Sequence, residues 1–195
     1  KPCNRSRLLI DKLDEAIEQD LIAGLVLAAG KGTRMKSQIP KVLQPIAGKP
    51  MLEHVLRSLK KVGLSSLGAV LNKSIHPFES YLSKNKWLRV CLQKIENGTG
   101  GAVASAACLF KGVEPISYAP SSLHVGPPWE KAKYLLLCAG DTPGISSELL
   151  RQFMRSSLES KAPLGILGMK VPNPTGYGRL ILSSQGQLDK IVEEN

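Results

Sequence analysis

Nine residues in a row, Leu21 to Ala29, carry no charge, and Gly30 ends the run. A strand that is apolar at every position, and not at every second one, must be covered on both faces. That is the condition of a strand inside a parallel sheet. The chain then reads Gly30-Lys31-Gly32-Thr33-Arg34-Met35, with Pro40-Lys41 a few residues on. Glycines directly after a buried strand let backbone N–H groups approach an anion closely and point at it. Two cations, Arg34 and Lys41, flank the loop and could neutralise a triphosphate. No Gly-Lys-Ser/Thr closes the loop, so it is not a Walker A loop, and the third glycine of the dinucleotide fingerprint is missing.

The remaining pattern alternates. Helical spacing of Leu8, Leu9, Leu13, Ala16 and Ile17 predicts an amphipathic helix over 7–20. Pro50 opens another, with Met51, Leu52, Val55, Leu56 and Leu59 inward and Gly63 as its stop. Further strands are predicted over Leu67–Leu71, Trp87–Leu92, Tyr134–Cys138, Leu164–Val171, Arg179–Leu182 and Leu188–Glu193. Further helices are predicted over Pro77–Ser83, Gly100–Leu109 and Ser146–Leu158. Residues 112–130, rich in proline, serine and glycine, read as a loop or insertion. Strands alternating with helices imply the α/β class: a doubly wound, mostly parallel, Rossmann-like sheet in three α/β/α layers. In such sheets ligands bind beyond the carboxyl ends of the strands, at a topological switch point. The Gly-rich loop and the turn at Asp141 both follow strands and can reach that crevice. The organisation expected is an N-terminal extension helix in 1–20 and one domain over 21–195.

Composition removes several classes. Hydrophobic residues at 43% and charged residues at 22% are globular proportions, so neither a fibre nor a disordered chain is expected. No apolar run approaches the roughly 20 residues that cross a bilayer, and no signal peptide is visible after the basic start. Cys3, Cys91, Cys108 and Cys138 form no C-x-x-C pair; Cys91 and Cys138 sit in apolar runs and read as buried free thiols of a cytoplasmic protein. His54, His76 and His124 have no ligand spacing. The net charge of +10 suits a polyanionic ligand, but the basic residues are scattered and not interleaved with aromatics. They are read as a solvated surface, without nucleic acid or membrane as a partner. Taken singly, Asp141 could be a turn residue, Gln93 a solvated strand end and Glu193 a surface carboxylate.

Four motifs in order say more. Leu27-Ala28-Ala29-Gly30-x-Gly-Thr-Arg-Met with Pro40-Lys41-Val42-Leu43 is the first, and Gln93-Lys94-Ile95-Glu96-Asn97-Gly98-Thr99-Gly100 the second. Gly140-Asp141-Thr142-Pro143 is the third; Pro174-Thr175-Gly176-Tyr177-Gly178-Arg179, with Ile191-Val192-Glu193 beyond, is the fourth. Together they resemble the sugar nucleotidyltransferases, and among them the uridyltransferase domain of bacterial N-acetylglucosamine-1-phosphate uridyltransferases, from Leu21 to Glu193. The resemblance implies that Leu27, Ala28, Ala29 and Gly30 hold the nucleotide through backbone groups, with Arg34 and Lys41 on its phosphates. It implies that Gln93 meets the uracil edge, with Gly98 and Thr99 beneath base and ribose. Asp141 would be a Mg²⁺ ligand, and Gly140, Gly178 and Glu193 would contact the amino-sugar. The reaction implied joins UTP to N-acetylglucosamine 1-phosphate with release of pyrophosphate, Arg34, Lys41 and Asp141 being catalytic.

Departures are visible too. Gly101 stands where the pattern usually has His, the stretch between Thr99 and Asp141 is long, and an extra helix precedes the first motif. The pattern's second metal ligand, an Asn beyond the Val-Glu segment, has no counterpart before Asn195, so a domain truncated at its C-terminal end is expected. Two other readings stay open: transfer to another sugar or alcohol phosphate, and a non-catalytic nucleotide-sensing or RNA-associated domain of the same fold.

Overall fold

The computed structural model describes residues 5–30, 32, 35–72, 76–93, 98–107, 109 and 129–193, with backbone alone over 5–11. Its elements in chain order are α1 (Arg5–Glu18), β1 (Ile22–Ala28), a hairpin of β2 (Pro45–Ile46) and β3 (Lys49–Pro50), α2 (Met51–Val62), β4 (Leu67–Asn72), α3 (Glu79–Lys84) and β5 (Arg89–Gln93). Then come α4 (Gly98–Ser105), β6 (Tyr134–Ala139), α5 (Ser147–Ser160), β7 (Arg179–Leu182) and β8 (Leu188–Val192). The chain divides into two units, Lys1–Ser160 and Lys161–Asn195.

The first unit holds a four-stranded sheet in the order β5-β4-β1-β6. Every pairing in it is parallel, with Gly24 opposite Leu67, Gly68 opposite Arg89 and Ile22 opposite Tyr134. The unbroken apolar run of β1 is explained by its two faces. Ile22, Val26 and Ala28 enter one core cluster with Leu13 of α1, Leu52, Val55, Leu56 and Leu59 of α2, and Leu150 and Met154 of α5. Ala23, Leu25 and Ala29 enter the other with Ala102 of α4 and Ala106, Leu109 and Trp129. Alternate side chains of a strand point to opposite faces, so the sheet lies between two helical layers, as the α/β reading requires.

Helix α2 buries Leu52, Val55, Leu56, Leu59 and Val62. Each such side chain contributes about 1.5–3 kcal/mol by leaving water. Gly63 ends it at φ 108, a left-handed conformation that costs glycine nothing, and its N–H closes on the Leu59 and Lys60 carbonyls. Helix α1 is tied into this layer. Arg151 of α5 pairs with Asp14 and donates to the Val62 carbonyl at 2.9 Å, and Asp20 accepts the Ser65 and Ser66 hydroxyls at 2.7 Å each.

Two expectations are corrected. Trp129, read with the proline-rich segment 112–130, is a core residue, only 2% exposed. Its backbone N–H donates to the Leu109 carbonyl at 2.7 Å, and its ring fills the space above Gly68, where a Cβ would stand 2.9 Å away. Most of that segment, 112–128, lies outside the described residues. Leu164–Val171, expected to be a strand, has no regular pairing. A strand is made by its neighbour's N–H and C=O groups as much as by its own apolar side chains, and no described strand pairs with it. In the second unit, β7 and β8 form an antiparallel hairpin with Arg179 opposite Val192 and a register shift at Ile181/Leu182. Among the described residues no helix is long and apolar enough to cross a membrane.

Candidate active site

The chain leaves β1 for β4 and β5 on one side, then returns to lay β6 on β1's other side. The carboxyl ends of β1 and β6 therefore flank the switch point, where a doubly wound sheet opens a crevice. Lys41, after the Gly-rich loop, and Asp141, two residues past β6, meet there: Lys41 Nζ donates to Asp141 Oδ2 at 2.6 Å. Both side chains remain over a third exposed, at 39% and 36%. In that setting the pair is worth about 0–1 kcal/mol, small enough to be exchanged for a charged ligand.

Four residues hold this meeting. Gly140 is buried, and its N–H donates to the Leu27 carbonyl at 2.9 Å. A Cβ on Gly140 would lie 3.1 Å from that carbonyl oxygen and from Val42 Cγ1, so glycine is what lets the end of β6 close on β1. Gly32 has φ 61, and a Cβ there would stand 2.6 Å from Lys41 Cβ; the loop needs glycine both for its backbone and for Lys41's packing. Thr142 closes the turn by donating its hydroxyl to the Ala139 carbonyl at 2.7 Å, and Ser58 of α2 donates to the Ile145 carbonyl at 2.7 Å. Thr142 follows the familiar turn chemistry of Asp-Thr-Pro. Ser58 carries no sequence signal, because its partner is 87 residues away.

The other expected residues fall as follows. The Leu27 carbonyl is engaged by Gly140, Ala28 pairs with Leu71, Ala29 is buried, and Gly30 is exposed with open space around its Cα. Arg34 lies outside the described residues, as do Lys94–Asn97. Gln93, at the end of β5, is buried rather than solvated, at 5% exposure, and its amide donates to the Gly98 carbonyl at 3.2 Å. Gly98 has φ 83 and starts α4; Thr99 beside it is exposed. In the second unit Gly178 and Glu193 face each other across the hairpin, a Cβ on Gly178 coming within 3.4 Å of Glu193 Oε2. His54, set aside as a ligand, bonds the Ile46 carbonyl at 2.8 Å. Cys91 and Cys138 are buried, and burial pushes the Cys138 thiol up to about 11. Among the described residues no three His, Cys, Asp or Glu side chains gather to hold a metal.

Lys41 and Asp141 thus meet beside the Gly-rich loop at the switch point of the sheet, and comparison with known proteins gives the family. The profile of the MobA-like NTP transferase domain matches residues 24–190. The chain belongs to that family. It is 38% identical over 170 residues to the bifunctional protein GlmU of Lactococcus lactis, covering 87% of this chain and 33% of that protein. With GlmU of Oceanobacillus iheyensis it shares 34% over 169 residues, again 87% and 33%. The chain thus spans about a third of the length of these curated relatives. Among solved structures, HddC of Yersinia pseudotuberculosis in complex with GMP-PN aligns with a TM-score of 0.64 at 24% identity, over 89% of this chain and 69% of that one. A putative glucose-1-phosphate thymidylyltransferase of Bacillus anthracis aligns at 0.61 with 17% identity, over 89% and 65%. The fold is therefore that of the nucleotidyltransferases, and the resemblance of the four motifs is borne out.

Proposed function

We propose that this chain transfers the uridylyl group of UTP to N-acetylglucosamine 1-phosphate, giving UDP-N-acetylglucosamine and pyrophosphate. The observation that carries this reading is the meeting of Lys41 and Asp141, 100 residues apart, at the crevice beside the Gly-rich loop. The order of the four motifs and the identity with the GlmU proteins support it.

In this reading an oxygen of the sugar phosphate attacks the α-phosphorus of UTP in line. The bond from that phosphorus to the bridging oxygen breaks, and pyrophosphate leaves with the electron pair. No protein nucleophile is needed; positioning and charge do the work. Lys41 turns from Asp141 to the phosphates, joined by Arg34, and offsets the repulsion of two anions. Asp141, released, is the residue we assign to a divalent cation. Mg²⁺ commonly takes one or two carboxylates and completes its shell with phosphate oxygens and water, so one carboxylate fits. The cation would supply charge neutralisation on the triphosphate. Gln93, held by the Gly98 carbonyl, reads the pyrimidine edge with Thr99 nearby, while the backbone from Leu27 to Gly30 lies along the nucleotide. By the resemblance of the motifs, Gly140, Gly178 and Glu193 are the residues we assign to the amino-sugar.

The test is pyrophosphate release by the protein with Mg²⁺, UTP and N-acetylglucosamine 1-phosphate, beside parallel reactions with CTP, dTTP and other sugar 1-phosphates. Release with a different pair would move the assignment to that substrate. Silence with every pair would remove the enzymatic reading.

A further inference from the structure

The fold gathers cations that the sequence keeps apart. Arg57 and Lys60 of α2 and Asn85 and Trp87 of the turn before β5 line one cleft of about 260 Å³, with Glu53 and Leu56. Helix α2 runs antiparallel to the strands, so its last turn and the residues before β5 lie at the amino end of the sheet. The crevice with Lys41 and Asp141 lies at the carboxyl end.

Within the cleft the aromatic ring is held. Lys60 Nζ sits 3.3 Å from the centroid of Trp87, whose indole N–H donates to Asn85 Oδ1 at 3.2 Å while Asn85 Nδ2 donates to the Tyr81 carbonyl at 2.9 Å. The ring nevertheless stays 39% exposed. The acid in the lining is already committed: Glu53 accepts Arg57 Nε at 2.8 Å and the Tyr81 hydroxyl at 2.9 Å. Arg57 uses only that nitrogen, so its terminal nitrogens have no protein partner among the described residues. Lys84 and Lys86 lie close by in the chain, and among the described residues no carboxylate forms an ion pair with them or with Lys60; Lys61 acts on Glu148, whose carboxyl it helps to lower.

A fixed, exposed indole beside Lys60 and the spare terminal donors of Arg57 matches a planar base attached to phosphate, because stacking ignores base identity while the cations follow the backbone. The volume falls below the roughly 300–1,000 Å³ of pockets that enclose a whole small molecule, which suits one unit of a longer strand. We infer that this cleft is a docking site for single-stranded RNA, one base stacking on Trp87 and the flanking phosphates resting on Arg57 and Lys60. The site is separate from the catalytic crevice and independent of the sugar substrate.

The test titrates the 195-residue chain with fluorescein-labelled U12 RNA, reading anisotropy together with tryptophan emission. The chain has only two tryptophans, and Trp129 is buried. Expected are quenching of Trp87, an affinity loss of about 5- to 150-fold in Trp87→Ala, and at least a tenfold loss in Arg57→Glu/Lys60→Glu. If three to five phosphates are contacted, raising salt from 50 to 200 mM should weaken binding about 20- to 130-fold. Binding should persist in Lys41→Met, which alters the other end of the sheet, and pyrophosphate release should persist in Trp87→Ala. Melting curves for each variant show that it has folded. The proposal falls if U12 does not bind at 50 mM salt, or if Trp87→Ala binds as well as the unchanged chain. It also falls if heparin competes equally without quenching Trp87, or if UMP alone saturates the cleft as tightly as U12.

Discussion

Substituting Gly140 by alanine tests the geometry of the crevice directly. The added Cβ would stand 3.1 Å from the Leu27 carbonyl oxygen, 3.1 Å from Val42 Cγ1 and 3.3 Å from Ala28 Cβ. Ordinary contacts begin near 3.5 Å, so three neighbours must yield by a few tenths of an ångström. One is strand backbone and one belongs to the core of β1, so relief comes by moving the end of β6. Overpacking of this kind costs about 1–3 kcal/mol, against which alanine recovers about 0.4–1 kcal/mol from the unfolded chain. A net loss of about 1–2 kcal/mol is expected, a fall of the urea midpoint on the order of 1 M. Because Asp141 follows directly, a small displacement separates it from Lys41, and a misplacement near 1 Å can cost about 100-fold in rate. Gly144→Ala is the control: nothing lies within 4 Å of its Cβ position, so stability should hold or rise slightly. Urea melts and pyrophosphate release read both effects. If Gly140→Ala matched Gly144→Ala in stability and rate, the close approach of β6 to β1 would not be what seats Asp141.

Three further outcomes follow from the same contacts. Lys41→Met should change stability by about 0–1 kcal/mol, since the pair with Asp141 is solvent-exposed, yet slow pyrophosphate release about 10²–10³-fold; a large stability loss with normal turnover would make Lys41 structural. Trp129→Ala, at a site 2% exposed, should cost about 3–5 kcal/mol in urea unfolding; a loss under 1 kcal/mol would mean the second core does not depend on it. Stability should decline from pH 9 towards pH 11, because the unfolded chain releases the Cys138 proton at the ordinary thiol pKa while burial makes the folded chain hold it until about 11. The slope of the urea midpoints across that window should become shallower in Cys138→Ala, the rest coming from Tyr81, which burial and Glu53 also hold protonated; an unchanged slope would clear this thiol of the effect.

Most of the layered fold was legible because its signals are local. The unbroken apolar runs of β1 and β4 report burial on both faces, and α2's stripe ends at a glycine that takes φ 108; β6 is as apolar in sequence but leaves Tyr134, Leu137 and Ala139 exposed. Leu164–Val171 shows the limit of such signals, since apolar content can propose a strand but only a neighbour's hydrogen-bonding groups complete one. Trp129 shows it again: a proline-rich context masked a residue whose place is decided by the hole above Gly68.

The sequence by itself determined the α/β class, the Gly-rich loop after β1 and the residue types that follow it. Those follow from periodicity and from backbone freedom at glycine, which act over a few residues. Only the tertiary structure decided the order β5-β4-β1-β6, the contact of Lys41 with Asp141 across 100 residues, and the meeting of Lys60 with Trp87 at the opposite end of the sheet. Each of these joins groups far apart in the chain, and what brings them together is the burial of the sheet between two helical layers.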